Sequence, residues 1–403
     1  MRIARNDLLR QVLSYRDTSF VKILAGVRRC GKSTLLAMLE QTLLDDGVPQ
    51  HNIFSRKLDD IWLPIDYDAE TLLDEARKAI TASDDSRPFY VLLDEVQEIP
   101  RWELVVRKLQ ARPNTDIYIT GSNSTLLSGE LATHLTGRYV QIHVYPLSFK
   151  EFRETGWGTT DDDLFQRYMR YGGMPVFVND DIQDQPRIIS ALNDVYESIV
   201  NKDVIQRYGF RDAATVRKIA RYLFSTSGNL FSSWNVYNAL KSSGVSTTFT
   251  TMENQIEALK NAFAIYDAEQ TAVRGKALLR PQRKFYPVDN GLRNLVNHFA
   301  DSDHGAQLEG IVFMELKRRG YDVSIGKTSD GEIDFVAQRA DERIYIQVTL
   351  SMLEESTRAR ELRPLLGLSD AYPRMVLTLD RFSAGTTEQG IRIVNAVDWL
   401  LEA

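Results

Sequence analysis

The sequence predicts a multidomain α/β chain. A parallel sheet flanked by helices comes first, then a helical stretch closing in a β-hairpin, then a small α/β segment. Three observations carry this. A short apolar strand at residues 21–25 runs through a glycine-bounded loop into a stretch with apolar residues at helical spacing, Leu35, Leu36, Met38 and Leu39. A second apolar run, Phe89-Tyr90-Val91-Leu92-Leu93, ends abruptly in Asp94 and Glu95; a run this apolar marks a central strand covered on both faces. Beyond residue 300 a helix is followed by a meander of strands. With 403 residues the chain exceeds a single core and divides into two to four domains.

Taken in order, residues 1–20 are helical, with Leu8, Leu9, Val12 and Leu13 recurring at helical intervals. After the first strand and its helix, Asp45-Asp46-Gly47-Val48-Pro49 is a turn, residues 53–58 a second strand and residues 69–81 a helix. The Asp94-Glu95 strand comes next, then Asp116-Ile117-Tyr118-Ile119-Thr120, another apolar strand ending in small polar residues. A helix over residues 124–135 leads through Gly137-Arg138 to a fifth strand at residues 139–144.

The loop between the first strand and helix is Gly26-Val27-Arg28-Arg29-Cys30-Gly31-Lys32-Ser33-Thr34, which fits G-x-x-x-x-G-K-[ST] at every fixed position. Gly26 and Gly31 let the backbone curl so that successive N–H groups face one concavity, and the helix N-terminus adds partial positive charge. The motif places Lys32 on the β- and γ-phosphates of a bound nucleotide and the Ser33 hydroxyl on Mg²⁺. Asp94 is then a second Mg²⁺ ligand, and Glu95 polarises the attacking water. Ser122 and Asn123 either contact the γ-phosphate or the attacking water, or simply form a turn. Arg138 either reaches a neighbouring subunit's nucleotide or is a solvated arginine. Cys30 is the only cysteine, which excludes internal disulfides and fits a reducing cytoplasm; a thiol reagent there is expected to block the loop. A net charge of −6 excludes a whole-chain basic signal for nucleic acid. No apolar run reaches membrane-span length and the N-terminus lacks a signal-peptide core, so the expected location is the cytoplasm.

The phosphate loop, Leu92-Leu93-Asp94-Glu95-Val96-Gln97-Glu98-Ile99-Pro100, Ile119-Thr120-Gly121-Ser122-Asn123-Ser124, Leu135-Thr136-Gly137-Arg138-Tyr139 and Tyr145-Pro146-Leu147-Ser148-Phe149-Lys150-Glu151-Phe152 together resemble the AAA+ superfamily. More narrowly, they resemble a prokaryotic AAA-type family whose C-terminal part has no assigned function. The resemblance covers residues 1–155. It implies an ATPase domain with Asp94 and Glu95 as the Walker B pair and Ser122-Asn123 as sensor 1; no arginine is matched to sensor 2. Gly172-Gly173-Met174-Pro175 resembles a signature of the same family and, as a helix stop before a fixed turn, is expected to be structural.

Residues 156–210 are a helical linker or lid. Residues 211–300 have the winged helix-turn-helix pattern: helices at 213–227, 232–242 and 248–261, then strands at 264–269 and 284–288 paired across Gly275. The third helix carries Thr250, Thr251 and Asn254 outward. Basic residues are sparse on it, since Lys260 is accompanied by Glu253 and Glu257; the wing supplies Arg274, Lys276, Arg280, Arg283 and Lys284. The partner of this domain is either DNA or a protein, and homo-oligomerisation is also expected. Residues 301–403 have a helix at 307–319 and strands at 322–325, 331–337 and 344–349. They resemble the PD-(D/E)XK nuclease fold, with Glu309 and Asp334 at its first two positions. Gln347 and Thr349 stand where that fold has Glu and Lys. A neutral amide is a poor Mg²⁺ ligand and a hydroxyl cannot replace an ammonium beside an attacking water, so the fold is expected without the cleavage.

Overall fold

The computed structural model describes residues 3–124, 138–271, 282–300 and 303–402. They form two compact units: Ala4–Tyr145 with Asn261–Phe263, and Met1–Ile3 with Pro146–Lys260 and Ala264–Ala403. The expected helix at 124–135, Gly137, and Arg274, Gly275, Lys276 and Arg280 of the wing lie outside the described residues, apart from Ser124.

The first unit is built on five parallel strands: β1 (Val21–Ala25), β2 (Ile53–Lys57), β3 (Phe89–Asp94), β4 (Thr115–Gly121) and β5 (Tyr139–His143), in the order β2-β3-β4-β1-β5. β1 and β3 are buried along their whole length, as their uninterrupted apolar sequences require. Among the described residues the sheet is accompanied by α1 (Asn6–Leu13), α2 (Lys32–Asp45), α3 (Ala69–Ala82) and α4 (Trp102–Gln110). One core joins Ile23, Val91, Leu93, Ile117 and Ile119 of the strands to Leu72 and Ala76 of α3 and to Trp102, Val105 and Leu109 of α4. α3 begins where Asp68 accepts the N–H groups of Glu70 and Thr71. The register pairs Ala25 with Gly121 and Leu93 with Ile119. β1, β4 and β3 are therefore neighbours that end at one edge, where open α/β sheets bind ligands.

The second unit begins with helices Phe149–Arg153, Asp161–Tyr171, Pro175–Asn179 and Gln185–Ser198, the last continuing as a π-helix over Ile199–Gln206. Gly172 ends the Asp161–Tyr171 helix at φ 74°. A Cβ there would run into the Asp289 carboxylate, which accepts the Gly173 N–H at 2.7 Å. A Cβ on Gly173 would run into the Leu147 carbonyl, so two glycines stand before Met174-Pro175. Asn290 and Asn294 add side-chain hydrogen bonds to the carbonyl of Met169 near the helix end.

Helices Ala213–Ser225, Ser233–Ser242 and Phe249–Asn261 follow, then β6 (Leu230–Phe231, between the first two), β7 (Ile265–Thr271) and β8 (Arg283–Pro287). β7 and β8 pair antiparallel, as the hairpin reading expects. They do not stop there. β7 also pairs in parallel with β9 (Asp322–Thr328), through Gln270 with Ile325 and Thr271 with Gly326. β10 (Gly331–Arg339), β11 (Glu342–Thr349), β12 (Arg374–Thr378), β13 (Gly385–Thr386) and β14 (Arg392–Asn395) complete a nine-stranded sheet, β13-β14-β12-β11-β10-β9-β7-β8-β6. The free edge of β7 carries unpaired N–H and C=O groups, and β9 satisfies part of it. Helices His304–Arg318 and Glu355–Leu366 belong to this C-terminal part.

Candidate functional site

The phosphate loop leaves β1 at Gly26, whose N–H donates to the Gly121 carbonyl at 3.4 Å. A Cβ on Gly26 would collide with the Val144 carbonyl, so only glycine lets the loop turn here. Arg29 and Gly31 take positive φ angles of 64° and 101°. Gly31 is the N-cap of α2 and provides no side chain to cap it, so the first N–H groups of that helix are left for a ligand. Arg5 braces the loop from below: it is buried, and its guanidinium donates to the carbonyls of Cys30 (3.1 Å) and Tyr145 (2.9 Å). Val27 and Cys30 are buried, Arg28 and Thr34 half-buried, Arg29 and Ser33 exposed. Burial pushes the Cys30 thiol up, above its ordinary range. The thiol is thus protonated and shielded, which corrects the expectation that a reagent would reach it.

Lys32 is buried, with its ammonium donating to the carbonyls of Gly26 (3.1 Å) and Val27 (3.2 Å) and lying 3.5 Å from Glu95. Asp94 and Glu95 meet Thr120, a residue that the strand pattern alone did not single out. The Thr120 hydroxyl donates to Asp94 at 2.6 Å and accepts the Glu95 N–H at 2.9 Å. Pairing of β3 with β4 makes that bridge, so only the register would have disclosed it. Glu95 sits at φ 54°, a left-handed conformation that is strained for a non-glycine residue and recurs at functional sites.

The two acids are tuned apart. Burial pushes Asp94 above the ordinary carboxylate range, against hydrogen bonds from Thr120 and Ser33 that pull it down. Burial also opposes ionisation of Glu95, but Lys32, a hydrogen bond from Gln97 and the charge of Arg28 outweigh it and hold Glu95 below that range. An ionised glutamate beside an aspartate that a cation would ionise suits one residue to water and the other to a metal. Ser33 and Asp94 share a hydrogen bond and converge at the loop, so the donor set fits Mg²⁺. Ser122 and Asn123 are buried at the end of β4, on the same edge as the loop.

Arg138 is not brought there. It precedes β5, and its carbonyl accepts the Val21 N–H at the start of β1. The five residues of β1 separate that position from the loop, about 16 Å along the strand. Arg138 is exposed.

A second cluster lies in the second unit. Glu309 comes from the His304–Arg318 helix, Glu332 and Asp334 from β10, Gln347 from β11, and Lys284 with Tyr286 from β8. Lys284 is buried, 2.7 Å from Glu332 and 3.2 Å from Glu309, and the Tyr286 hydroxyl donates to Glu309 at 2.7 Å. Asp334 accepts the Val348 N–H at 2.8 Å. Gln347 accepts the Asp334 N–H at 2.7 Å and donates to Glu361 at 3.1 Å. Thr349 turns its hydroxyl to the Ser351 carbonyl. Among the described residues no group of three or more His, Cys, Asp or Glu side chains is arranged to hold a metal ion.

Among the described residues, Arg283 of the hairpin pairs with Glu253 at 2.9 Å, and Lys260 of the Phe249–Asn261 helix pairs with Asp267 at 3.0 Å and Glu257 at 3.2 Å. Thr250, Thr251 and Asn254 are exposed on the Phe249–Asn261 helix as expected. Among the described residues no helix is long and apolar enough to cross a membrane.

Comparison with known proteins divides the chain three ways. Residues 18–153 match an AAA domain family, residues 162–303 a domain of unknown function, and residues 301–398 a restriction endonuclease family. An uncharacterized protein of Haemophilus influenzae is 37% identical over 407 residues, spanning 99% of each chain. An uncharacterized protein of Methanocaldococcus jannaschii is 26% identical over 358 residues, 85% of this chain and 77% of that one. Among solved structures, a Walker-type ATPase of Pyrococcus abyssi is similar with a TM-score of 0.47 and 15% identity, over 73% of this chain and 96% of that one.

Proposed function

Since this chain belongs to the family of that Haemophilus influenzae protein, with an AAA domain at one end and a nuclease-like domain at the other, we propose that it is a Mg²⁺-dependent ATPase. Its ATP hydrolysis serves the second unit rather than DNA cleavage. The observation that carries this is the triad at the sheet edge: Asp94 and Glu95 fixed by one Thr120 hydroxyl, with Lys32 3.5 Å from Glu95.

The chemistry is in-line attack of water on the γ-phosphate. The N–H groups of Gly26–Thr34 and the uncapped end of α2 bind the phosphates. Lys32 exchanges its carbonyl partners for β- and γ-phosphate oxygens. Mg²⁺, held by Ser33 and Asp94, would offset charge on those oxygens. Glu95, kept ionised by Lys32, Gln97 and Arg28, accepts a hydrogen bond from the water and aims it. Ser122 and Asn123 stand where a γ-phosphate contact would come from. Arg138, at the far edge of the sheet, serves a neighbouring copy's nucleotide, which makes the working form a homo-oligomer. We take residues 1–155 as the ATPase domain, 156–210 as its lid, 211–300 as a winged-helix domain and 301–403 as a non-cleaving nuclease-like domain, in a cytoplasmic protein.

The test is phosphate release from Mg²⁺–ATP, with the Lys32→Ala protein as the blank. Turnover in the wild type alone is expected; equal release by both proteins would overturn the assignment. A second reading, contact with DNA, is favoured by the exposed Thr250, Thr251 and Asn254. It would have to draw its cations from Arg274, Lys276 and Arg280, because Arg283 and Lys284 are already engaged.

A further inference from the structure

We propose that Lys284 is the resident cation of the nuclease-like domain: its ammonium fills the acidic centre and keeps a divalent metal out. The inference deepens the non-cleaving reading of that domain and rests on it.

Geometry is the first support. The ammonium lies between two elements, 3.2 Å from Glu309 on the helix and 2.7 Å from Glu332 on β10. Its side chain is only 6% exposed, so it cannot swing to solvent as a surface lysine would. Nor can the strand easily carry it away. β8 is an interior strand, and Lys284 is registered against Ala268 of β7 on one side and Leu230 of β6 on the other.

The acids around it are satisfied from within the protein. Glu309 takes the Tyr286 hydroxyl as well as the lysine. Asp334 takes a backbone N–H, and the Gln347 amide is spent between the Asp334 N–H and Glu361. Burial opposes the charge on Lys284, but Glu309, Asp334 and Glu332 outweigh it and hold the ammonium charged. Two half-buried carboxylates, Glu309 and Glu332, converge on one cation, and here the chain supplies it from the region preceding the nuclease-like domain. Lys284 thereby ties the hairpin to the C-terminal strands, turning an acidic centre into a tether.

The experiment uses nucleotide-free full-length protein and Mn²⁺ as the probe. Wild type should bind no Mn²⁺ at this centre by electron paramagnetic resonance, and 1 mM Mn²⁺ should leave its Tm unchanged. Lys284→Ala should lower Tm by roughly 5–10 °C, and Mn²⁺ should restore at least about half of that loss by occupying the vacated carboxylates. If Lys284→Ala does not fold, Lys284→Ala with Glu332→Gln, which removes one surplus charge, should fold and show the same Mn²⁺ response. Mn²⁺ bound to wild type and lost in Asp334→Asn would overturn the proposal, as would a folded variant whose Tm ignores Mn²⁺. DNA cleavage assays run alongside separate the two claims. Cutting by wild type would sink the non-cleaving reading itself, whereas Mn²⁺ binding without cutting would sink only the role of Lys284.

Discussion

Each unit presents a buried lysine facing carboxylates, and the two differ in what else holds the lysine. Lys32 rests on two backbone carbonyls and stands 3.5 Å from Glu95, beside an uncapped helix end. Lys284 lies 2.7 Å from Glu332 and 3.2 Å from Glu309, on a strand paired along both edges. Carbonyls are neutral partners that a phosphate easily outbids, whereas two carboxylates are not. A lysine parked on carbonyls marks a site built for an incoming anion. A lysine seated in carboxylates marks one that already contains its counter-ion.

The largest expected effect breaks the first half of this comparison. Lys32→Ala should abolish ATP binding and hydrolysis, because it removes the charge that meets the β- and γ-phosphates. Equilibrium binding of a fluorescent ATP analogue checks it; retained affinity would remove Lys32 from its role. Glu95→Gln comes next. It should keep ATP bound yet slow hydrolysis by roughly 10²-fold or more, since the cation ligands remain while the acceptor for water is lost. Single-turnover rates decide this, and a wild-type rate would strip Glu95 of its function. Thr120→Val should cost about tenfold in hydrolysis with little change in ATP affinity, as both acids lose one positioning hydrogen bond. A rise in the Kd for ATP with an unchanged rate would instead mark Thr120 as a binding residue.

Much of the first site was legible because its signals are local. A strand, two glycines, Lys32 and Ser33 fall within a dozen residues, and Asp94-Glu95 ends an apolar run that can only be a covered strand. Thr120 and Arg5 were not legible, because each acts through strand pairing or a reach of 25 residues or more. The second site was hidden for the same reason. Lys284 and Glu309 lie on different elements 25 residues apart, and Lys284 reads from sequence as part of a basic wing. Charge composition counts cations without showing which are already paired. The pattern after Thr349 carried no reading, and β12 and β14, both short, became recognisable only as partners in the nine-stranded sheet.

A third buried acid sharpens the comparison, because backbone N–H groups rather than a lysine solvate it. Burial outweighs the hydrogen bonds that Asp289 accepts from Gly173, Leu292 and Gly291 and pushes its carboxyl up to about 6. A folded-state value above the unfolded one means that the protonated form is the stabilising one. That contribution is complete below pH about 4 and lost as pH rises through about 6, about 3 kcal/mol at most. Asp289→Asn keeps an acceptor without titrating. Its stability relative to wild type should therefore rise between pH 4 and pH 7 in urea unfolding; parallel profiles would show that Asp289 does not titrate in this window.

The smallest effect is expected where the sequence pointed to DNA. Arg283→Ala should leave the salt dependence of any duplex binding unchanged, because Arg283 is committed to Glu253. A slope shallower by about one would put Arg283 on a phosphate.

The contrast between the two lysines is tested most directly by counting Mn²⁺ on the wild-type protein with electron paramagnetic resonance, with and without a non-hydrolysable ATP analogue. The account predicts about one Mn²⁺ per chain when the analogue is present, none when it is absent, and none in either case for Lys32→Ala. Tight Mn²⁺ binding that persists without nucleotide and disappears in Asp334→Asn would contradict it, because the second centre would then be an open metal site rather than one filled by Lys284.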